Sequence, residues 1–177
     1  MSHRNEEVVY LLARAATLDA AVRALARALE APNEDPRFAL KGIEYKALSD
    51  KHGFTVTLHG LTLFPVYEQV LDRSGECPDL FARIHLCLPE DGGKAGKPIV
   101  SLLIADTGDY SDDGSTRMGY STFDVTGKPS DLNRYRLSVS IAQALQATLP
   151  VLSTVDGAFS SAKTEHSPAP TGPLRAA

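Results

Sequence analysis

The sequence predicts an α+β fold: an N-terminal helix or helical hairpin, a five- to six-stranded mainly antiparallel sheet, a C-terminal helix and a Pro-rich flexible tail. Three observations predict it. Apolar residues recur at three-four spacing through residues 5–31. The spacing changes to alternation through residues 37–125 and returns to a helical period at 130–149. The strands follow one another without long helices between them, which argues against a doubly wound parallel sheet.

The N-terminal segment opens with Asn5 as a candidate cap and Glu6 and Glu7 in the first turn, the charge sign a helix N-terminus prefers. Val8, Leu11, Ala15, Leu18, Val22, Leu25 and Leu29 then form a seam over three heptads, ending before Pro32. Thr17-Leu18-Asp19 offers a second cap, so one long helix or two shorter ones fit equally. Asn33-Glu34-Asp35-Pro36 is a turn. Phe38 and Leu40 alternate, and Ile43 and Tyr45 alternate in the opposite phase with Gly42 at the slip. Ser49 to Gly53 reads as a hairpin loop. Phe54, Val56 and Leu58 oppose Thr55, Thr57 and His59, a half-buried strand. Pro65 makes Leu61 to Leu71 an edge or bent strand. Ala82, Ile84, Leu86 and Leu88 alternate with Phe81, Arg83, His85 and Cys87. Ile99 to Ala105 is apolar on both faces and reads as a central strand, with Met118 to Val125 as the last one. Ser130 caps the final helix, whose expected buried face is Leu132, Tyr135, Val139, Ala142, Leu145 and Leu149, broadened by Ile141.

Composition bounds the function. With 177 residues, 43% apolar and 23% charged, the chain fits one globular domain over residues 1–156. A chain of this size buries about two-thirds of its unfolded surface, so it folds without disulfides or a structural metal. Residues 157–177 carry Pro168, Pro170 and Pro173 among Ser, Thr and Ala, too little apolar surface for a core. The net charge of −4 is neither the basic patch of a nucleic-acid binder nor the strong acidity of a nucleic-acid mimic. The longest strongly apolar run is far short of the roughly 20 residues that span a bilayer. Residues 1–7 lack the basic-then-apolar order of a signal peptide. If Cys77 and Cys87 share one extended strand, they lie roughly 33 Å apart, beyond the reach of about 7 Å for a disulfide. Two free thiols and a cytoplasmic location follow, unless Pro78 turns the segment back.

Four groups of residues bear on chemistry. Asp106, Asp109, Asp112 and Asp113 crowd like charges into eight residues, and hard cations such as Ca²⁺ or Mg²⁺ take oxygen ligands of this kind. The same residues are also ordinary turn formers. Asp91 to Pro98 lacks the residues of a phosphate loop at both ends and enters a strand, so it is a basic loop. His59, His85 and Cys87 can share a strand face, the donor set of a zinc or thiol–imidazole site. Leu102 to Gly108 resembles the apolar-run-then-DTG element of aspartic proteases. That resemblance implies a shared catalytic aspartate at Asp106, in a homodimer because the chain has no second DTG.

The function expected from these readings is a non-catalytic protein–protein interaction or assembly protein: an adaptor, chaperone, inhibitor or structural subunit of a larger complex such as a phage or secretion particle. Its expected partner, another protein or itself, would meet Val8, Leu11, Leu18, Val22, Leu25 and Leu29 on the helical seam and Phe159 and Leu174 on the tail. The expectation includes no nucleic acid, no membrane and no obligatory cofactor. The alternative is a metal-dependent hydrolase built on the loop from Asp106 to Asp113, holding Ca²⁺ or Mg²⁺.

Overall fold

The structure, a computed structural model, describes residues 2–49, 52–75, 78–91 and 94–149, without the side chains of residues 2–5. The first helix, α1, runs unbroken from Ser2 to Glu30. Asn5 therefore lies inside the helix and does not cap it. Thr17 does not start a second helix either: its hydroxyl donates to the Ala13 carbonyl at 3.2 Å, the back-bond of a mid-helix threonine. Beyond α1, Asp35 caps a single 3-10 turn over Pro36–Phe38, accepting from the Arg37 N–H at 2.9 Å. This turn takes the place of the strand expected at Phe38 and Leu40, because proline at the first position has its φ already set for a helical turn.

Seven strands follow in chain order: β1 (Ile43–Ala47), β2 (Phe54–Leu58), β3 (Leu61–Asp72), β4 (Asp79–Pro89), β5 (Ala95–Ile104), β6 (Asp109–Ser111) and β7 (Tyr120–Ser121). Each pairs antiparallel with the next, so the sheet is one meander, and α2 (Asp131–Gln146) closes the fold. The class is α+β, with seven strands instead of five or six. The additional strand is β6, which lies inside the acidic segment and is too short to show a period. The β2–β3 connection is a two-residue turn with both φ angles positive, His59 at 50° and Gly60 at 82°, the backbone that matches strand twist.

Pro65 marks a change of partner within β3. Leu61, Thr62 and Leu63 pair with β2, and Phe64 to Asp72 pair with β4. Proline has no N–H to continue the β2 ladder, so the second half of β3 is an edge.

One face of the sheet carries the main core. Phe54, Val56, Leu63, Ala82, Ile84, Leu86, Leu102 and Ile104 are fully buried there against Leu18, Val22, Leu25 and Leu29 of α1 and Leu137 and Ile141 of α2. Apart from Ala82, each of these side chains contributes about 1.5–3 kcal/mol on burial. Phe81, Leu103 and Ala105 form a smaller cluster with Val70 and Met118. The buried residues of α2 are Leu137, Ser138, Ile141 and Leu145, while Leu132 and Leu149 are exposed. The helix is rotated from the expected face because Ser138 bonds the Tyr45 hydroxyl at 2.7 Å. That polar pair points inward, which alternation of apolar residues alone does not reveal. The helix ends are joined as well. Arg134 donates to the Ala31 carbonyl just past α1, and the Asp35 N–H donates to the Asp131 carboxylate at 2.8 Å. Cys87 is buried and free; Cys77 and the tail lie outside the described residues.

Burial pushes the Tyr45 phenol from its ordinary value of 10 up to about 12, against the opposing pull of the Ser138 bond. The folded state therefore holds this proton more tightly than the unfolded state does. Its contribution is complete below pH 10 and is lost as the pH rises to about 12, a loss on the order of 2–3 kcal/mol. Chemical denaturation across this window should show a falling midpoint. Tyr45→Phe should start lower, for want of the Ser138 bond, and fall less steeply. An equal slope in both proteins would contradict the assignment.

Candidate functional site

The candidate site is built on α1. Its apolar seam meets the sheet in only part of its length. Leu18 and Val22 are 0% exposed, and Leu25 and Leu29 are 1% and 2% exposed. All four belong to the chain's own core, so a partner-binding role for them gives way to a structural one. Leu11 and Ala15 are half-buried against that core. Val8, one turn earlier on the same seam, is 55% exposed. The seam thus runs past the end of its own sheet between Leu11 and Val8.

Two polar clamps fix α1 on the sheet. The Arg14 guanidinium lies 2.8 Å from Asp79 at the start of β4 and 3.1 Å from Asp106 in the turn after β5. It also donates to the Tyr10 hydroxyl at 2.7 Å. This hydroxyl first, then the two carboxylates, raise the Arg14 pKa against the effect of burial. One turn along, the Asp19 carboxylate accepts from the Tyr67 hydroxyl at 2.5 Å and from the Gln69 amide at 3.3 Å, both on β3. His52 stands 3.6 Å away. Burial, followed by the bond to Asp19, pushes the Tyr67 phenol up to about 12.

The clamps leave the opposite side of α1 without charge. Between Glu7 and Arg23 the only charged residues are Arg14 and Asp19, and both reach to the sheet. The remaining surface is Val9 and Leu12, 66% and 67% exposed, with Ala13, Ala16, Thr17 and Ala20, all exposed. A helix face that meets water ordinarily carries charged or polar residues, and a helix apolar all round is ordinarily buried. Only the Thr17 hydroxyl interrupts this surface, and it is bonded to its own helix.

The other sequence candidates are dispersed. Asp106 binds Arg14, Asp109 accepts from the Thr107 hydroxyl at 2.9 Å, Asp113 accepts from the Ser115 N–H at 2.9 Å, and Asp112 accepts from the Tyr120 hydroxyl at 3.4 Å. The Ser115 N–H holds the Asp113 carboxyl below its ordinary range. Asp112 and Asp113 line an open depression of ≈ 310 Å³ that also contains Arg117 and Arg136, cations of the chain itself. Among the described residues, no three His, Cys, Asp or Glu side chains are placed to hold a metal ion. The DTG string is the β5–β6 turn, with Gly108 at φ 86° and its N–H donating to the Ala105 carbonyl at 3.0 Å. His59 lies against Gly42 at the far end of β2, apart from His85 and Cys87 on β4. Phe159 and Leu174 lie outside the described residues.

One polar row escaped the sequence. Ser101 bonds the His85 Nδ1 at 2.7 Å, the His85 Nε2 is 3.4 Å from Glu68, and Glu68 also takes Arg83 at 3.1 Å. Strand register creates it, because Val66, His85 and Ser101 occupy opposed positions on β3, β4 and β5. Hydroxyl, imidazole and carboxylate stand in the order of a nucleophilic triad. However, Ser101 sits mid-strand, paired with His85 on one side and bridged to Asp113 on the other. It lacks the free backbone donors that would stabilise an oxyanion. The row is a side-chain ladder across the sheet.

Comparison with protein-family models, with curated proteins and with solved structures finds no match to this chain. None of the helices among the described residues is long and apolar enough to cross a membrane.

Because each carboxylate of the acidic segment already has a donor in the protein, adding Ca²⁺ or Mg²⁺ should leave the melting temperature unchanged. Asp109→Asn with Asp112→Asn and Asp113→Asn should shift it by no more than roughly 2 °C. A saturable rise with either ion, lost in the triple variant, would show a cation site.

Proposed function

We propose that the chain is a non-catalytic protein–protein interaction or assembly protein, an adaptor, chaperone, inhibitor or structural subunit of a larger complex, and that it docks through the exposed part of α1. The observation that carries this reading is the uncharged helix surface around Val9 and Leu12. These two side chains are about two-thirds exposed, on a helix whose nearby charges are turned to the sheet. Contiguous apolar surface of this kind marks interaction sites on folded proteins. A free helical end is also marginal in water without packing on its apolar side. Docking would supply that packing, with Val8 and the half-buried Leu11 continuing the surface.

Val9→Glu with Leu12→Glu tests the proposal. Both positions are solvent-facing and glutamate is a good helix former. The variant should keep its circular dichroism and melting temperature. Its association, measured by size and by capture from extracts of the source cells, should weaken by about tenfold to a hundredfold, the loss expected when buried apolar side chains are replaced. Unchanged association would remove α1 as the docking surface.

A further inference from the structure

Two arginines from separate elements share one depression, and neither is paired. Arg117, in the connection from β6 to β7, and Arg136, on α2, line the open depression of ≈ 310 Å³ beside Asp112 and Asp113. Among the described residues, neither guanidinium has a hydrogen-bond or carboxylate partner. A second open depression, of ≈ 420 Å³, shares Asp112, Tyr120 and Arg136 with the first and continues along α2 past Tyr135, Val139 and Ser140. We infer that this cleft binds a small organic acid, its carboxylate held between Arg117 and Arg136 and its uncharged body lying along α2. No residue of α1 takes part, so the site is separate from the docking surface.

Charge selects the ligand. The carboxylates of the cleft have donors of their own: the Tyr120 hydroxyl donates to Asp112 at 3.4 Å, and the Ser115 N–H donates to Asp113 at 2.9 Å. The guanidiniums have no acceptor, so the group that completes the cleft is an anion. Two like charges lining one depression repel, and an anion between them turns that repulsion into attraction. A carboxylate fits better than a phosphate. A guanidinium fork takes its two oxygens side by side, and its single charge meets less repulsion from Asp112 and Asp113 than a phosphate dianion does. The walls are held in place by the fold. Tyr120 stacks on the buried Tyr110 with ring centroids 5.3 Å apart. The Gly119 N–H donates to the Tyr110 carbonyl at 3.2 Å, and the Ser115 carbonyl accepts from the Ser111 hydroxyl at 2.6 Å, so the loop is tied on both sides of Arg117. Leu137 and Ser138 are buried and anchor α2 beside Arg136. Beyond Arg136 the α2 wall carries no charge. Its phenol, valine and hydroxyl suit an uncharged, partly polar body such as a hydroxylated ring.

Amide chemical shifts of the full chain, followed by NMR in low-salt buffer at neutral pH, test the inference. The probes are acetate, para-hydroxybenzoate, the uncharged amide of para-hydroxybenzoate, and inorganic phosphate. Both acids should shift the amides of Arg117, Gly119, Tyr120 and Arg136 saturably. Para-hydroxybenzoate should bind about tenfold more tightly than acetate, through the second depression. Its amide keeps the ring and loses the charge, and should bind at least about tenfold more weakly than the acid. Phosphate should bind more weakly than para-hydroxybenzoate. Arg117→Gln and Arg136→Gln should each weaken both acids roughly threefold to tenfold. Both side chains are exposed, so the melting temperature should not change. The inference is overturned if neither acid gives a saturable shift, if the amide binds as well as the acid, or if neither arginine variant loses affinity. Phosphate binding more tightly than both acids overturns the choice of carboxylate. Acetate binding as tightly as para-hydroxybenzoate overturns the placement of the body along α2.

Discussion

A single meander of antiparallel strands has an apolar face that none of its own strands can cover. The rest of this structure follows from that constraint. Ala82, Ile84 and Leu86 of β4 and Leu102 and Ile104 of β5 are fully buried, and their cover comes from helices at the two ends of the chain. Leu18 to Leu29 of α1 and Leu137 and Ile141 of α2 lie on the same face. Arg134 and Asp131 join the start of α2 to the segment leaving α1. Without α1 the largest side chains of the sheet would meet water, so its seam is a structural element first.

That role explains the unusual chemistry on the other side of the helix. Covering the sheet requires the seam from about Leu18 to Leu29, yet α1 starts at Ser2. The additional turns are held by Arg14, and Arg14 and Asp19 together turn the available charge toward the sheet. What remains outside is apolar or small. A surface that served only solvation would carry charge at positions such as Val9, Leu12 and Ala16.

The sequence showed the class of the fold because strong periods survive in tertiary structure. Phe54, Val56 and Leu58 alternate in the chain and are buried in the structure. Ser130 caps α2 where a serine precedes an aspartate in the first turn. Short-range or polar determinants were less legible. Three-residue β6 has no period to detect, and Pro36 diverts Phe38 into a 3-10 turn despite its alternation with Leu40. The face of α2 is set by Ser138 meeting Tyr45, 93 residues away. Of the candidate site, the seam was visible but its division was not. Whether Val8 or Leu18 meets the sheet depends on where the sheet ends, and that is fixed by strands far along the chain. The row of Ser101, His85 and Glu68 was hidden for the same reason, since only strand register brings those residues together.

The central claim is that α1 has two parts, one held by the sheet and one left for a partner. Backbone hydrogen exchange along α1, at low and high protein concentration, tests it most directly. The segment from Leu18 to Leu29 should be protected to the same high degree at both concentrations, because the chain's own core holds it. Protection before the Arg14 clamp, from Glu7 to Leu11, should be lower in dilute solution and rise with concentration as the outward face is covered. Uniform protection along the whole helix, independent of concentration, would contradict the account.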